Sequence, residues 1–193
     1  MNTYRITVAY DGTAYRGWQR QENTELTVQG ILERRISEIA GKKTVVSGSG
    51  RTDSGVHALG QECSLYLEQE IDMDSFKKQL NALLPEDIRV LDISREKRDF
   101  HARKSAVGIV YEKDTLTLSW IGDGFLYHMV RILTGTLLDV GIGKIKAEEI
   151  PEILKAKDRK KSGFPAPAKG LFLGRVFYTE AELKKAVQKI SEK

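Results

Sequence analysis

The sequence predicts an α+β fold, an antiparallel sheet carrying helices on one face, and three observations predict it. Within the first 97 residues, four stretches with strand character and two with the 3.6-residue period of helices follow one another as β-α-β-β-α-β. The second half repeats part of that order. The composition, 40% hydrophobic and 30% charged with 17 Gly and 4 Pro, is that of a globular chain able to bury a core, and it excludes collagen-like, coiled-coil and disordered classes. The β-α-β-β-α-β order is the ferredoxin-like arrangement. A length of 193 residues lies between one modal domain and two, and the expected division is 1–97 for a complete first domain and 98–193 for a shortened second one.

The elements follow in order. Tyr4, Ile6, Val8 and Tyr10 alternate with polar or small residues, which predicts a half-buried strand. Thr27 can cap a helix in which Val28, Ile31, Leu32, Ile36 and Ile39 form one apolar face until Gly41 stops the pattern. Residues 44–47 are short and β-branched, and Cys63, Leu65 and Leu67 alternate, so both read as strands. Asp74 is placed to cap a helix bearing Phe76, Leu80 and Leu83, and 88–93 alternates again. In the second half, Leu116, Leu118 and Trp120 suggest a strand ending at Gly122-Asp123-Gly124. A helix follows, with Phe125, Met129, Ile132, Leu133, Thr136, Leu137 and Val140 on one face. A short helix at 148–157, a Pro/Ala/Gly loop at 165–170, a strand at 171–178 and a terminal helix through Leu183, Val187 and Ile190 complete the reading. Against the first half, an opening strand and helix are missing.

The single cysteine, Cys63, excludes an internal disulfide and any cysteine-based zinc cluster, and three His leave little for another metal site. No apolar run approaches a membrane span, and the N-terminus has no signal-peptide pattern, so the expected location is cytoplasmic. The net charge of +4 and a pI near 9.0 suit a polyanionic partner without demonstrating one. Basic residues gather at Arg95, Lys97, Arg98, Arg103 and Lys104, and again at Lys155, Lys157, Arg159, Lys160 and Lys161, each cluster readable as a docking surface or as a solvated face.

Chemistry is expected in the segment Gly48-Ser49-Gly50-Arg51-Thr52-Asp53-Ser54-Gly55-Val56-His57, which joins two predicted strands. Its glycines permit tight turns and close backbone approach to a ligand. A phosphate loop fails as a reading, because no Gly-Lys-Ser/Thr closes the segment and no strong helix pattern follows it. On local grounds Asp53 is either an Asx-turn residue or a reactive carboxylate.

Six segments decide between them. Tyr10-Asp11-Gly12-Thr13-Ala14-Tyr15-Arg16-Gly17-Trp18-Gln19, residues 50–58 with Gln61, Asn81-Ala82-Leu83-Leu84-Pro85, Phe100-His101-Ala102-Arg103, Gly124-Phe125-Leu126-Tyr127-His128-Met129-Val130-Arg131 and Gly170-Leu171 stand in that order. Together they resemble the motifs of the TruA-type tRNA pseudouridine synthases, whose active-site signature is the Gly-Arg-Thr-Asp-x-Gly-Val-His segment. The resemblance implies isomerisation of uridine to pseudouridine at positions 38, 39 and/or 40 of the tRNA anticodon arm, without cofactor or metal. It implies Asp53 as the catalytic carboxylate, Arg131 as its paired arginine, Arg51 as the residue that helps extrude the target nucleotide, and tRNA as the partner of a homodimer. The family also places a tyrosine over the target base. Tyr111 stands in that register and also reads as an ordinary strand residue, and both readings stay open.

His57 and His101 are expected as turn or core histidines, Tyr15, Trp18 and Tyr127 as packing residues, and Asp11 as the organiser of its turn. Relative to a complete second half, roughly 50 residues are expected to be absent between Ala106 and the strand before Gly122. The alternative function is therefore a tRNA-binding module that has lost turnover. A generic ferredoxin-like RNA-binding domain is disfavoured, because the aromatic strand motif of RNA-recognition domains is not evident.

Overall fold

The computed structural model describes residues 1–106, 108–112 and 118–191, with side chains for 1–106 and 118–189. The first half runs β1 (Asn2–Tyr10), α1 (Val28–Ala40), β2 (Val46–Gly48), β3 (His57–Leu67), α2 (Met73–Leu83) and β4 (Ile88–Glu96), the β-α-β-β-α-β order. Local chemistry sets the helix ends. The Thr27 side chain accepts a hydrogen bond from the Gly30 amide, and Gly41 turns out of α1 at φ 67°. For α2 the cap is Asp72 rather than Asp74: the Asp72 carboxylate accepts from the Ser75 amide, and Asp74 sits in the first turn, where a negative charge suits the helix dipole.

The second half contributes β5 (Gly108–Glu112), β6 (Trp120–Gly122), α3 (Met129–Gly141), α4 (Ile150–Ala156), β7 (Phe172–Phe177) and α5 (Glu180–Ser191). Strand β5 is not among the elements expected in order, although it contains Tyr111, for which a place in a strand was one of the two open readings. The helix expected from Phe125 begins only at Met129, because residues up to 128 form a turn with His128 in the left-handed region, and the expected 148–157 helix is a 3-10 turn leading into α4. Leu116 lies outside the described residues.

One sheet spans both halves in the order β4-β1-β3-β7-β5-β6, with β2 also paired to β3. Its pairings are antiparallel except one: β3 meets β7 in parallel, through His57 opposite Phe172 and Ala58 opposite Leu173. That short seam joins the two halves. The core lies between the sheet and α1 with α2, where Tyr4, Ile6, Val8, Cys63 and Leu65 meet Leu32, Ile36, Phe76 and Leu80, all buried. Asn81 ties α2 to β4 by donating to the Val90 carbonyl at 2.9 Å and accepting from its amide at 2.8 Å. The second half is thinner, and Leu137, Leu138, Ile142, Leu154 and Phe164 remain exposed.

Candidate active site

The loop between β2 and β3 is held from three sides. From β3, the buried Gln61 donates to the Gly50 carbonyl at 2.7 Å and accepts from the Ser49 hydroxyl at 3.0 Å. From the 10–18 segment, the Trp18 amide donates to the Thr52 carbonyl at 3.0 Å, the Tyr10 and Thr52 hydroxyls share a buried hydrogen bond of 2.7 Å, and the Ser54 hydroxyl donates to the Tyr15 carbonyl at 3.1 Å. From the second half, Leu171 accepts from the His57 amide at 3.1 Å.

Two glycines let these backbones touch. A Cβ on Gly12 would stand 2.0 Å from the Val56 carbonyl oxygen, and one on Gly17, at φ 93°, 2.7 Å from that of Thr52. The Tyr10–Gln19 segment is thus the bed of the Asp53 loop. Asp11 accepts from the Thr13 amide at 2.9 Å, and Thr13 holds its carboxyl below the usual range. His57 stacks on Phe172 with centroids 4.7 Å apart, and the ring of His101 accepts from the Arg103 amide at 3.2 Å, so both histidines serve their turns.

Across from the loop, α3 and the turn before it form the other wall of a cleft of about 510 Å³, within the range of ligand sites. Asp53 faces this wall with its side chain 24% exposed. Its Oδ2 lies 3.2 Å from His128 Nε2 and 3.7 Å from Arg131 Nη1. Arg131 is anchored by Nε donating to the Ala166 carbonyl at 2.7 Å, while the Ala166 amide donates to the Arg131 carbonyl at 2.9 Å. Gly135 and Gly163 allow that contact, since a Cβ on either would overlap the opposite segment.

The structure brings Asp53, Arg131 and Arg51 to one cleft, Arg51 exposed in its lining. Tyr111 pairs its backbone with Trp120 and Leu173, but its side chain lies outside those described. Tyr15 and Trp18 are buried as expected, whereas Tyr127 is 69% exposed. Its left-handed neighbour His128 turns the chain so that Tyr127 lines the cleft and stacks on the imidazole at 3.8 Å. Both basic clusters reach the site: Arg103 lines the cleft, and Arg159 donates to the Tyr127 carbonyl. Arg103 was legible as a member of a basic cluster, whereas His128 sat in a quoted motif with no feature of the sequence to single it out. A carboxylate among three arginines, with an open face, can act on one residue of a polyanion.

This sheet and this cleft define the class first, an α+β protein with one loop carboxylate facing an arginine-lined cleft. Comparison with known proteins gives the family. The family model for tRNA pseudouridine synthases matches residues 6–105 and again 104–179. Proteins named tRNA pseudouridine synthase A from Clostridium kluyveri, Acetivibrio thermocellus and Caldicellulosiruptor saccharolyticus are 35%, 34% and 33% identical, each over 92% of this chain and 100% of the relative. The chain belongs to the tRNA pseudouridine synthase family, a family of isomerases. These alignments run over 245 positions against a chain of 193 residues, so at least 52 positions carry no residue here.

Proposed function

We propose that this chain isomerises uridine to pseudouridine in the anticodon arm of tRNA, at positions 38, 39 and/or 40, with Asp53 as the catalytic carboxylate. The observation that carries the reading is Asp53 itself, held by a braced loop in a basic cleft with Arg131 Nη1 3.7 Å away. The reaction breaks the C1′–N1 bond, rotates the uracil and joins C5 to C1′, while a proton leaves C5 and N1 gains one. No atom is lost. A carboxylate serves this either as a nucleophile or as the base that removes the C2′ proton.

In this reading Arg131 is the arginine that pairs with Asp53, and Arg51 helps extrude the nucleotide, since a stacked base reaches no active site until flipped. Tyr111 stacks on the uracil. The division at 97/98 places Asp53 on the first domain and Arg131 on the second. The protein works in the cytoplasm as a homodimer, and exposed Leu137 and Leu138 on α3, with Ile142 just past its end, supply apolar surface for such an interface.

The test is quantitative mass spectrometry of tRNA from a synthase-null strain expressing this chain. Pseudouridine at 38–40 is expected, and Asp53→Asn abolishes it while sparing tRNA binding. No product from a well-folded protein overturns the proposal in favour of a tRNA-binding module without turnover.

A further inference from the structure

We infer that Tyr127 is a stacking platform for a base that neighbours the target nucleotide in the RNA strand; this rests on the reading of the cleft as the RNA site. Tyr127 lines the cleft and is 69% exposed. A lone exposed aromatic on a protein surface calls for no account. This one is held in place. One face of its ring is covered by the His128 imidazole, at a centroid distance of 3.8 Å and an interplanar angle of 22°, and the exposed face is left for the cleft.

The holding starts in the backbone. The Met129 amide donates to the Leu126 carbonyl at 2.9 Å, closing a turn with Tyr127 and His128 at its centre. The third position of that turn is left-handed, at φ 59°, a place that suits Gly or Asn, so a histidine there carries strain of the kind that gathers at functional sites. The imidazole is braced in turn. Arg131 Nε donates to the Ala166 carbonyl at 2.7 Å, and Nη1, which can only donate, meets His128 Nε2 at 3.4 Å. Tyr127 rests on that ring, and its own carbonyl accepts from Arg159. A phenol ring fixed in this way has little freedom left to lose when a base covers it.

Charge stands beside the ring. Arg159 begins a run of three exposed cations, Arg159, Lys160 and Lys161, so positive charge adjoins an open aromatic face. That pairing holds single-stranded nucleic acid, with phosphates on the cations and a base on the ring, and it is tolerant of sequence because every base has a π-face.

The place of the platform selects the base. The edge of the imidazole brings Nε2 to 3.2 Å from Asp53 Oδ2, whereas a base on the open face of Tyr127 lies two ring layers from that imidazole. The reacting uracil must touch the carboxylate, so the platform takes a neighbour. Extruding one nucleotide strips its neighbours of a stacking partner, and the ring of Tyr127 replaces it.

Two measurements test this. Affinity of the full chain for an anticodon-arm RNA, by filter binding, should fall about 5–100-fold in Tyr127→Ala and recover most of the loss in Tyr127→Phe, with KM for tRNA moving in step. Melting temperature and sedimentation of both variants should match the wild type. Full affinity in the Ala variant, a loss confined to kcat, as a mere prop for His128 would give, or altered sedimentation, as a subunit contact would give, overturns the inference.

The second measurement places 2-aminopurine, whose fluorescence stacking quenches, on one side or the other of the target. In the wild-type complex one of the two positions should stay quenched, and Tyr127→Ala should release that quenching. Equal fluorescence at each position in the two proteins overturns the inference. This reading needs binding but no turnover, so a wild-type protein that binds the RNA without making pseudouridine defeats the proposed function while the fluorescence still decides the role of Tyr127. A wild-type protein that does not bind the RNA overturns both.

Discussion

Replacing Gly17 by alanine tests the idea that the 10–18 segment is the bed of the Asp53 loop. Two costs combine. At φ 93° an L side chain is strained by about 1–2 kcal/mol, and the new Cβ would meet the Thr52 carbonyl oxygen at 2.7 Å, so the backbone next to Asp53 must retreat by several tenths of an ångström. The Trp18 amide bond to that same carbonyl, 3.0 Å long, would stretch, adding about 1 kcal/mol. A total of about 2–3 kcal/mol lowers the melting temperature by roughly 4–12 °C in a chain of this size. The functional effect is larger in proportion, because a misplacement of about 1 Å costs about 10²-fold and half of it about 10-fold. Differential scanning calorimetry reads the first quantity, and single-turnover pseudouridylation at a temperature where the variant is folded reads the second. A variant with unchanged melting temperature and unchanged rate refutes the bed as the device that fixes Asp53.

Other outcomes follow from other residues. Burial pushes the Glu62 carboxyl from an ordinary 4.5 up to about 7, with the Thr7 hydroxyl and Arg5 opposing the rise, so the folded state binds a proton more tightly than the unfolded one. Stability should therefore fall as pH rises from about 4.5 to 7, and Glu62→Gln should flatten that slope and gain about 1–3 kcal/mol at neutral pH, as urea titrations across that range will show. Arg131→Lys keeps a charge but lacks the Nε that bonds the Ala166 carbonyl, and should cost roughly 10²-fold in kcat, against about 10-fold or less if the charge alone matters. Affinity for tRNA should drop steeply between 50 and 200 mM salt, and Arg103→Ala should make that dependence shallower by about one counterion, measured by filter binding.

The first half was legible because each of its elements carries a local signal. α1 is bracketed by Thr27 and Gly41, and the alternation in β1 matches the face that meets α1 and α2. Asp72 and Asp74 present the same side chain at neighbouring positions, and the difference lies in which one leaves helical φ/ψ, so the cap was misplaced by two residues. β5 is a five-residue strand recognisable only from its partners β6 and β7. Of the site, Asp53, Arg51 and Arg131 were legible as motif residues. His128 was not, since its signal is a left-handed backbone and a contact with a residue on the far wall of the cleft. Tyr127 was misread for the same reason: an aromatic before a helix packs inward unless the turn beneath it is reversed.

The β3–β7 seam has a consequence for how this protein comes into being. Only His57 with Phe172 and Ala58 with Leu173 pair across it, and these partners are made at widely separated times during synthesis. Domains fold as units as they emerge, so the first half can settle while its aspartate still faces water rather than histidine and arginine. The wall that confronts Asp53 arrives with α3, and β7 closes the sheet later still. The cleft around Asp53 is thus among the last parts of the molecule that synthesis can complete.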